Sequence, residues 1–365
     1  MRPWEIQPEC YDELFARKWQ GVAERFAAAL PVPEPQAYRS PVDSYRVRAE
    51  FRIWHEGDAL DYVMFDSEAP RQPVVVRDFP PAIAPIRERM GPLRQALTGN
   101  PELRRKLFQV EFLASRDGDC VITLIYHRPL DEAWDAAARG LGEQLDAQLI
   151  GRSRRQKRVL SRDHVVERFT VGERGYRYRQ YEQSFVQPNA PVNERMLNWV
   201  WERGRNATGD LLELYCGNGN FTLPLADRHA HVIATELSKS GTRAARENLQ
   251  DNQMNNVAVV RLSAEEVSQA MAGTRAFRRL AALPRPLAAY DLTDVFVDPP
   301  RAGLDDATLA CVEDFARIVY VSCNPETLLA NLRSLAATHT VQALAFFDQF
   351  PYTPHLKSGV VLEKR

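Results

Sequence analysis

The sequence has few cysteines, and none of them is spaced for a disulfide framework or a metal cluster. The 365 residues include five cysteines, which are odd in number, scattered, and form no C-x-x-C pair. This pattern argues against a disulfide scaffold, structural zinc and an iron–sulfur site. A reducing cytoplasmic compartment is therefore expected.

Long apolar runs are also missing. No window reaches the roughly 18 consecutive apolar residues of a membrane span. The N-terminal "MRPWEIQPECYDELFARKWQ" is charged throughout and lacks the apolar core of a signal peptide. The sequence thus predicts neither a targeting segment nor a membrane partner, while its length and 45% apolar content suit two domains.

Net positive charge is absent from the chain as a whole, since the formal charge is −1. The molecule therefore lacks the global basic signature of many nucleic-acid binders. Residues 151–180 are different, because ten basic residues stand there against three acids. We interpret this basic stretch as a candidate surface for RNA phosphates.

The first half of the chain has the pattern of an α+β domain. An amphipathic helix is predicted over residues 8–30, followed by the proline-rich "LPVPEPQAYRSPV". In "SYRVRAEFRIW" apolar and charged residues alternate, which is typical of a half-solvated strand. Two more strands and a helix over 131–148 complete a domain predicted to span residues 1–180, with the basic stretch leading out of it.

The second half alternates strands with helices. Seven apolar segments from "DLLELYC" to "GVVLEK" are separated by helical patterns. This order predicts an α/β domain over residues 181–365, with a doubly wound, seven-stranded, Rossmann-like sheet.

A short glycine turn follows the first of these strands. "LLELYCGNGNF" contains Gly217 and Gly219 but no third glycine of a dinucleotide motif, and no basic residue that would meet a pyrophosphate. Glu236 ends the next strand, where a carboxylate can accept hydrogen bonds from both ribose hydroxyls. These features favour S-adenosylmethionine (SAM) over a dinucleotide.

Two further strands end in reactive side chains. "DVFVDPP" directs Asp298 towards the carboxyl edge of the sheet, and "RIVYVSC" brings Cys323 to the same edge if the strands are neighbours. A cysteine after a buried strand is usually inert packing. However, "NPET" predicts a helix start directly after Cys323, and a helix N-terminus stabilises negative charge.

A thiolate beside a methyl sulfonium suggests one reaction. Uracil C5 has no lone pair for an electrophilic methyl group, but addition of a thiolate to C6 converts C5 into a nucleophilic enolate carbon. Covalent catalysis would divide one difficult step into feasible ones.

The chain strongly resembles the bacterial tRNA (uracil-5-)-methyltransferase family over nearly its whole length. The resemblance is carried by long motifs in the family's order: "YRVRAEFRIWHEGD", "SFVQPNAPVNERML", "LLELYCGNGNF", "FVDPPRAGLD", "VSCNPETL" and "DQFPYTPH". It implies a SAM-dependent enzyme that makes 5-methyluridine at uridine 54 of the tRNA T-loop and at the equivalent uridine of tmRNA. It implies that the enzyme does not bind DNA and requires no protein partner.

The resemblance also implies roles for individual residues. Cys323 would be the nucleophile, and Glu50 and Arg52 would contact the T-loop. The positions implied for the SAM pocket are Gln187, Tyr215, Asn220, Glu236 and Asp298. No metal site is implied.

One residue departs from the family pattern. The family has a glutamate that removes the C5 proton, and "PHLKSGVVLE" has Lys357 at that position. Lys357 would act as a strongly perturbed base, water or another carboxylate would replace it, or the enzyme would be impaired and stall as a covalent RNA adduct. We favour impaired turnover.

Two other functions stay open. An RNA cytosine-C5 methyltransferase also uses a cysteine, and a tRNA-binding or folding factor could retain the same fold without efficient methyl transfer.

Overall fold

The computed structural model describes residues 5–66, 69–207 and 209–365 and divides into two compact units. The first unit is formed mainly by Pro41–Arg168 and Arg179–Ala190, and the second by Glu9–Ser40, Phe169–Tyr178 and Pro191–Arg365. Within these described ranges, no helix is both long and apolar enough to cross a membrane.

The helices and strands are numbered along the chain. The α-helices are α1 (Tyr11–Ala29), α2 (Ala84–Gly99), α3 (Pro101–Arg104), α4 (Glu132–Leu145), α5 (Ala190–Arg203), α6 (Thr222–Ala226), α7 (Lys239–Asp251), α8 (Ala264–Met271), α9 (Asp306–Glu313) and α10 (Pro325–Leu335). The strands are β1 (Gln36–Tyr38), β2 (Arg48–Glu56), β3 (Ala59–Phe65), β4 (Pro73–Val75), β5 (Leu107–Ala114), β6 (Cys120–Tyr126), β7 (Gln148–Ser153), β8 (Gln156–Val159), β9 (His164–Val171), β10 (Arg174–Tyr181), β11 (Asp210–Leu214), β12 (Val232–Thr235), β13 (Val257–Val260), β14 (Leu292–Val297), β15 (Arg317–Ser322), β16 (His339–Phe347) and β17 (Lys357–Lys364).

The first unit contains a seven-stranded sheet in the order β4-β3-β2-β5-β6-β7-β8. Its pairs are antiparallel except β6 and β7, which α4 connects. Along β2, Phe51 and Ile53 are buried while Glu50 and Arg52 are exposed, as the alternating sequence predicts. A side chain at Gly151 would collide with the ring of Trp134 from α4, so glycine permits this close helix–sheet contact.

The second unit contains an eight-stranded sheet in the order β1-β16-β17-β15-β14-β11-β12-β13. The strands β11 to β15 are parallel, and β17 is antiparallel to both β15 and β16. All seven predicted strands are present, which confirms the doubly wound α/β fold. The eighth, β1, was not predicted because it is short and lies in the proline-rich segment, and prolines are tolerated at a sheet edge.

The division of the chain differs from the predicted boundary at residue 180. Helix α1 and strand β1 belong to the second unit, since Val22, Phe26 and Leu30 pack in the same apolar core as the large sheet and β1 pairs with β16. The hairpin of β9 and β10 is divided, with residues 169–178 in the second unit. Sequence order did not reveal this because the contacts of α1 lie more than 300 residues away, as in the hydrogen bond from Tyr11 Oη to Asp348.

We predict that Phe26→Ala destabilises the second unit by about 3 to 5 kcal/mol, because it removes a buried ring and leaves a cavity. Phe26 is 1% exposed, and its ring meets that of Phe346 edge-on at 5.9 Å. The measurement is urea unfolding followed by circular dichroism. The control is Glu24→Ala on the exposed side of α1. Equal stability of the two variants would contradict the assignment of α1 to this core.

Candidate active site at the carboxyl edge of the sheet

The turn after β11 has the geometry of a ligand cradle. Gly217 and Gly219 adopt φ angles of 57° and 84°, in the left-handed region that favours glycine. A β-carbon at Gly217 would have no atom within 4 Å, so that side of the turn is open. Gly241 of α7 comes so close that a β-carbon would lie 2.8 Å from Cγ of Glu236.

Glu236 is tied into this turn by both carboxylate oxygens. Oε2 accepts a hydrogen bond from the Gly217 amide at 3.1 Å, and Oε1 accepts one from the Ser238 amide at 2.7 Å. Each oxygen of a carboxylate has a second acceptor site. The carboxylate is therefore oriented by the backbone and can still accept from two hydroxyl groups, which fits the ribose of SAM.

Asn220 is positioned by a reciprocal amide pair. Its side chain donates to Asn193 Oδ1 at 3.0 Å and accepts from Asn193 Nδ2 at 2.9 Å, while its carbonyl accepts from the Tyr178 hydroxyl at 3.0 Å. Tyr215 follows β11 with φ 62° and is half-buried. Gln187 is buried in the first unit, and its predicted role stays a prediction.

The ends of three strands bring together Asp298, Cys323 and Lys357. β14 and β15 are neighbours with Val297 opposite Tyr320, so Asp298 and Cys323 follow adjacent parallel strands at one edge. Ser358 of antiparallel β17 is opposite Ser322, so Lys357 lies across from Cys323. The predicted pairing of the two strands that carry Asp298 and Cys323 is confirmed.

Lys357 forms an ion pair that the sequence did not predict. Its Nζ donates to Asp298 Oδ2 at 3.0 Å, and the lysine is only 3% exposed. Burial raises the pKa of the Asp298 carboxyl, while the adjacent ammonium of Lys357 opposes this rise.

Cys323 precedes the first turn of α10. Asn324 caps this helix by accepting a hydrogen bond from the Glu326 amide at 3.2 Å, and its Nδ2 donates to the Arg301 carbonyl at 3.0 Å. The predicted helix start is present, and the half-buried thiol stands close to the positive end of α10.

The sequence model of the tRNA (uracil-5-)-methyltransferase family matches residues 10–365. The chain belongs to this family. A tRNA/tmRNA (uracil-C(5))-methyltransferase of Ectopseudomonas mendocina is 52% identical over 360 residues, covering 99% of each chain. A protein of the same description from Azoarcus sp. is 51% identical, covering 98% of each chain.

Solved structures agree with this fold. A Pyrococcus abyssi tRNA (uracil-54, C5)-methyltransferase in complex with S-adenosyl-L-homocysteine has a TM-score of 0.73 at 20% identity, covering 96% of this chain and 83% of that one. Its likeness supports the fold. Membership of the family confirms the predicted class of enzyme and SAM as its methyl donor.

The basic stretch of this methyltransferase carries less free charge than its composition suggests. At least six of its ten basic residues form ion pairs with carboxylates of the described chain, namely Arg152 with Glu182, Lys157 with Asp163, Arg158 with Asp135, Arg162 with Asp119, Arg168 with Asp117 and Arg174 with Asp227. Most of these acids lie outside the stretch, so a linear count could not reveal them. Arg154 and Arg155 are exposed at the turn between β7 and β8.

The outer face of β2 carries a stacked group beside Glu50. The Arg52 guanidinium lies over the Phe108 ring at 4.0 Å, and Phe108 stacks on His127 with ring centroids 4.1 Å apart. Trp54, two residues further along the same strand, is 48% exposed. Planar groups of this kind can stack on unpaired bases.

Sequence reasoning missed Glu213, a buried acid in β11. Burial, with Asp298 nearby, raises the pKa of Glu213 to about 8. The side chain of Thr222 opposes this rise. Glu213 lies opposite Phe296, on the face of the sheet that also carries Asp298. The signal was available, since "LLELYC" places one acid inside an apolar strand.

We predict that Glu213→Gln removes a pH-dependent loss of stability. A carboxyl group whose pKa is raised by folding binds a proton in the native state, so wild-type stability falls as pH rises from about 4.5 towards 8. The Gln variant should lack this decrease and be more stable than the wild type at pH 9, on the order of 1 to 4 kcal/mol. Urea unfolding between pH 5 and 9 is the measurement. Parallel curves for both proteins would refute a protonated Glu213.

Proposed function

We propose that this protein transfers the methyl group of SAM to C5 of uridine 54 in the tRNA T-loop, and of the equivalent uridine in tmRNA. The observation that carries this proposal is the common edge where Asp298, Cys323 and the Glu236 turn occur at the ends of parallel strands. Ligands of open α/β sheets bind at this edge. Family membership supports the same substrate class.

Four residues of the second unit would hold SAM. Glu236 would accept the ribose hydroxyls, and Tyr215, Asn220 and Asp298 would line the remainder of the pocket. Gln187 is proposed for the same pocket on the resemblance alone. Bound SAM supplies an electrophilic methyl group, and the absence of a basic residue from the glycine turn suits a ligand without phosphates.

Cys323 would act as the nucleophile. Its thiolate adds to C6 of uracil, and the electrons of the C5–C6 double bond move into the C4 carbonyl to give an enolate. C5 would then attack the methyl group of SAM, the bond from sulfur to that methyl group would break, and S-adenosylhomocysteine would leave with the electron pair. Loss of the C5 proton restores the C5–C6 double bond and breaks the C6–Sγ bond, so the thiolate is released.

The first unit would recognise the RNA. A uridine in the folded T-loop must be flipped into a pocket, which costs a few kcal/mol of unstacking that other contacts recover. The Arg52–Phe108–His127 stack and Glu50 offer such contacts. Arg154 and Arg155 would contact phosphates, which position RNA without reading its sequence.

Turnover would depend on how the C5 proton leaves. Lys357 donates its hydrogen bond to Asp298 and has no lone pair while it is an ammonium ion. We therefore retain the proposal that the final step is slower than in relatives with a glutamate at this position.

We predict that Cys323→Ala abolishes both covalent capture and methylation. With tRNA carrying 5-fluorouridine at position 54, the wild type should form an adduct that survives a denaturing gel, because fluorine cannot leave C5 as a cation. The variant should form none, and its methylation of normal tRNA should fall at least about a thousandfold.

The matched control is Cys311→Ala, a half-buried cysteine on α9. It should retain both activities. Methylation by Cys323→Ala would exclude the proposed mechanism. If the wild-type protein binds tRNA without methylating it, a role as a tRNA-folding factor is favoured. Preference for tRNA with cytidine at position 54 would indicate a cytosine methyltransferase.

A further inference from the structure

The ion pair between Lys357 and Asp298 bears on how the reaction ends. After methyl transfer, C5 of the adduct carries both the methyl group and a proton, and a base must remove that proton before Cys323 can leave. The base must come from groups at the edge that carries Cys323. In the second unit these include Lys357 and Asp298.

Lys357 is poorly suited to accept the proton. Its Nζ donates a hydrogen bond to the Asp298 carboxylate 3.0 Å away, so this nitrogen is already engaged as a donor. The side chain is buried, and a buried charge without a partner is costly. Lys357 is therefore better explained as the partner of Asp298 than as a base.

Asp298 has the properties that the step requires. Its carboxylate follows β14, the strand next to the one that delivers Cys323. Burial raises its pKa and so strengthens it as a base, whereas the adjacent Lys357 opposes this rise and favours the carboxylate. Glu213 faces it from β11 and Tyr320 is near it on β15. Burial raises the pKa of both groups and so favours their neutral forms.

We propose that Asp298 is the base that takes the C5 proton and that Lys357 is its positioning residue. This inference rests on the proposed function. The carboxylate of Asp298 accepts the proton as the C5–H bond breaks. The electron pair of that bond forms the C5–C6 double bond, and the C6–Sγ pair returns to Cys323 as thiolate. Asp298 then loses the proton to solvent.

The first test uses Asp298→Asn, which keeps the size of the side chain. The variant is mixed with tRNA and methyl-labelled SAM, and the protein–tRNA band on a denaturing gel is examined for label. We expect a methyl-labelled adduct to accumulate. With tRNA that carries tritium at uridine C5, we expect the release of tritium to fall at least about a hundredfold relative to the wild type.

The methyl label on the adduct distinguishes a role of Asp298 as the base from a role in SAM binding, because only a variant that still binds SAM can transfer the labelled methyl group. An adduct without methyl label, or normal tritium release, would overturn the assignment of Asp298 as the base. This outcome can be distinguished from failure of the proposed function, because in that case the wild type itself would form no Cys323-dependent adduct.

The second test examines Lys357. Asp298 must be ionised to accept a proton, so activity is lost as pH falls through its pKa. Lys357→Met should raise that pKa and move the acidic limb of the kcat profile upward by about one pH unit or more, while Lys357→Arg should restore it. An unchanged limb in Lys357→Met would contradict the positioning role.

A separate basic groove lies at the other end of the same sheet. A cavity of about 550 Å³ lies between α7 and β13. Its cationic lining residues are Lys239, Arg243, Arg246, Arg261 and Arg279, with Glu247 as its acid. Lys239 and Arg261 form no ion pair within the described part of the chain. Two of the other lining cations are ion-paired, Arg243 with Glu247 at 3.8 Å and Arg279 with Glu266 at 3.5 Å.

The groove is held in shape by backbone contacts. Arg246 donates to the Val259 carbonyl at 2.8 Å, and Arg279 donates to the Arg261 carbonyl at 2.9 Å. Lys239 begins α7 and Arg261 follows β13, so both lie at the carboxyl edge. β13 is four strands from β15, which corresponds to about 20 Å.

We infer that this groove binds the phosphate backbone of the RNA substrate at a distance from the reacting base. The distance places it beyond the flipped nucleotide but within reach of the remainder of a folded RNA. Cations in a groove attract phosphates through long-range, salt-dependent forces. This inference stands independently of the role of Asp298.

The test is the double variant Lys239→Gln with Arg261→Gln. We expect the slope of log K for tRNA binding against log salt to fall by about one to two, KM for tRNA to rise about tenfold, and kcat and KM for SAM to stay unchanged.

The control is Arg205→Gln with Arg333→Gln, which makes the same change in net charge. Arg205 precedes β11 and Arg333 lies in the last turn of α10, so both lie towards the opposite edge. An equal effect in the control would mean that only the net charge of the protein matters. An unchanged salt dependence of tRNA binding in the groove variant would refute RNA binding by the groove.

Discussion

The register between β14, β15 and β17 is the constraint on which the candidate site depends. Hydrogen bonding of the two parallel strands brings Asp298 and Cys323 to one edge, and antiparallel β17 enters that edge with Lys357 as its first residue. A slip of one residue in any of these ladders would turn its side chains to the opposite face. The buried apolar residues on both faces of this sheet hold the register, so core packing and site geometry are linked.

Burial then determines the charge of the groups at this edge. Glu213 and Asp298 lie on the same face of neighbouring strands; Glu213 is buried, and the Asp298 side chain is 15% exposed. Two carboxylates in this setting repel each other, and this repulsion adds to the burial that raises the pKa of Glu213. Lys357 acts in the opposite direction on Asp298, so the two acids of this edge have different electrostatic surroundings.

The larger sheet was predictable because each of its strands is a short apolar run bounded by turn residues, and helical patterns separate them. The Glu236 turn was predictable for a related reason, since glycines and a strand-end carboxylate are local features. The attachment of α1 was not, because its periodicity indicates an apolar face without indicating what covers it. The composition of the basic stretch overestimated its free charge, because Asp119, Asp135 and Glu182, which pair with its arginines, lie outside the stretch.

The sequence by itself determined the family, the order of strands and helices, and the residues Cys323, Asp298 and Glu236 as candidates. These properties follow from local patterns and from motifs that can be read along the chain. Only the tertiary structure decided that Lys357 pairs with Asp298, that burial raises the pKa of Glu213, and that a group of basic residues lines the groove between α7 and β13. Each of these depends on which distant residues share a dry or a charged environment, and that information arises only when the chain is folded.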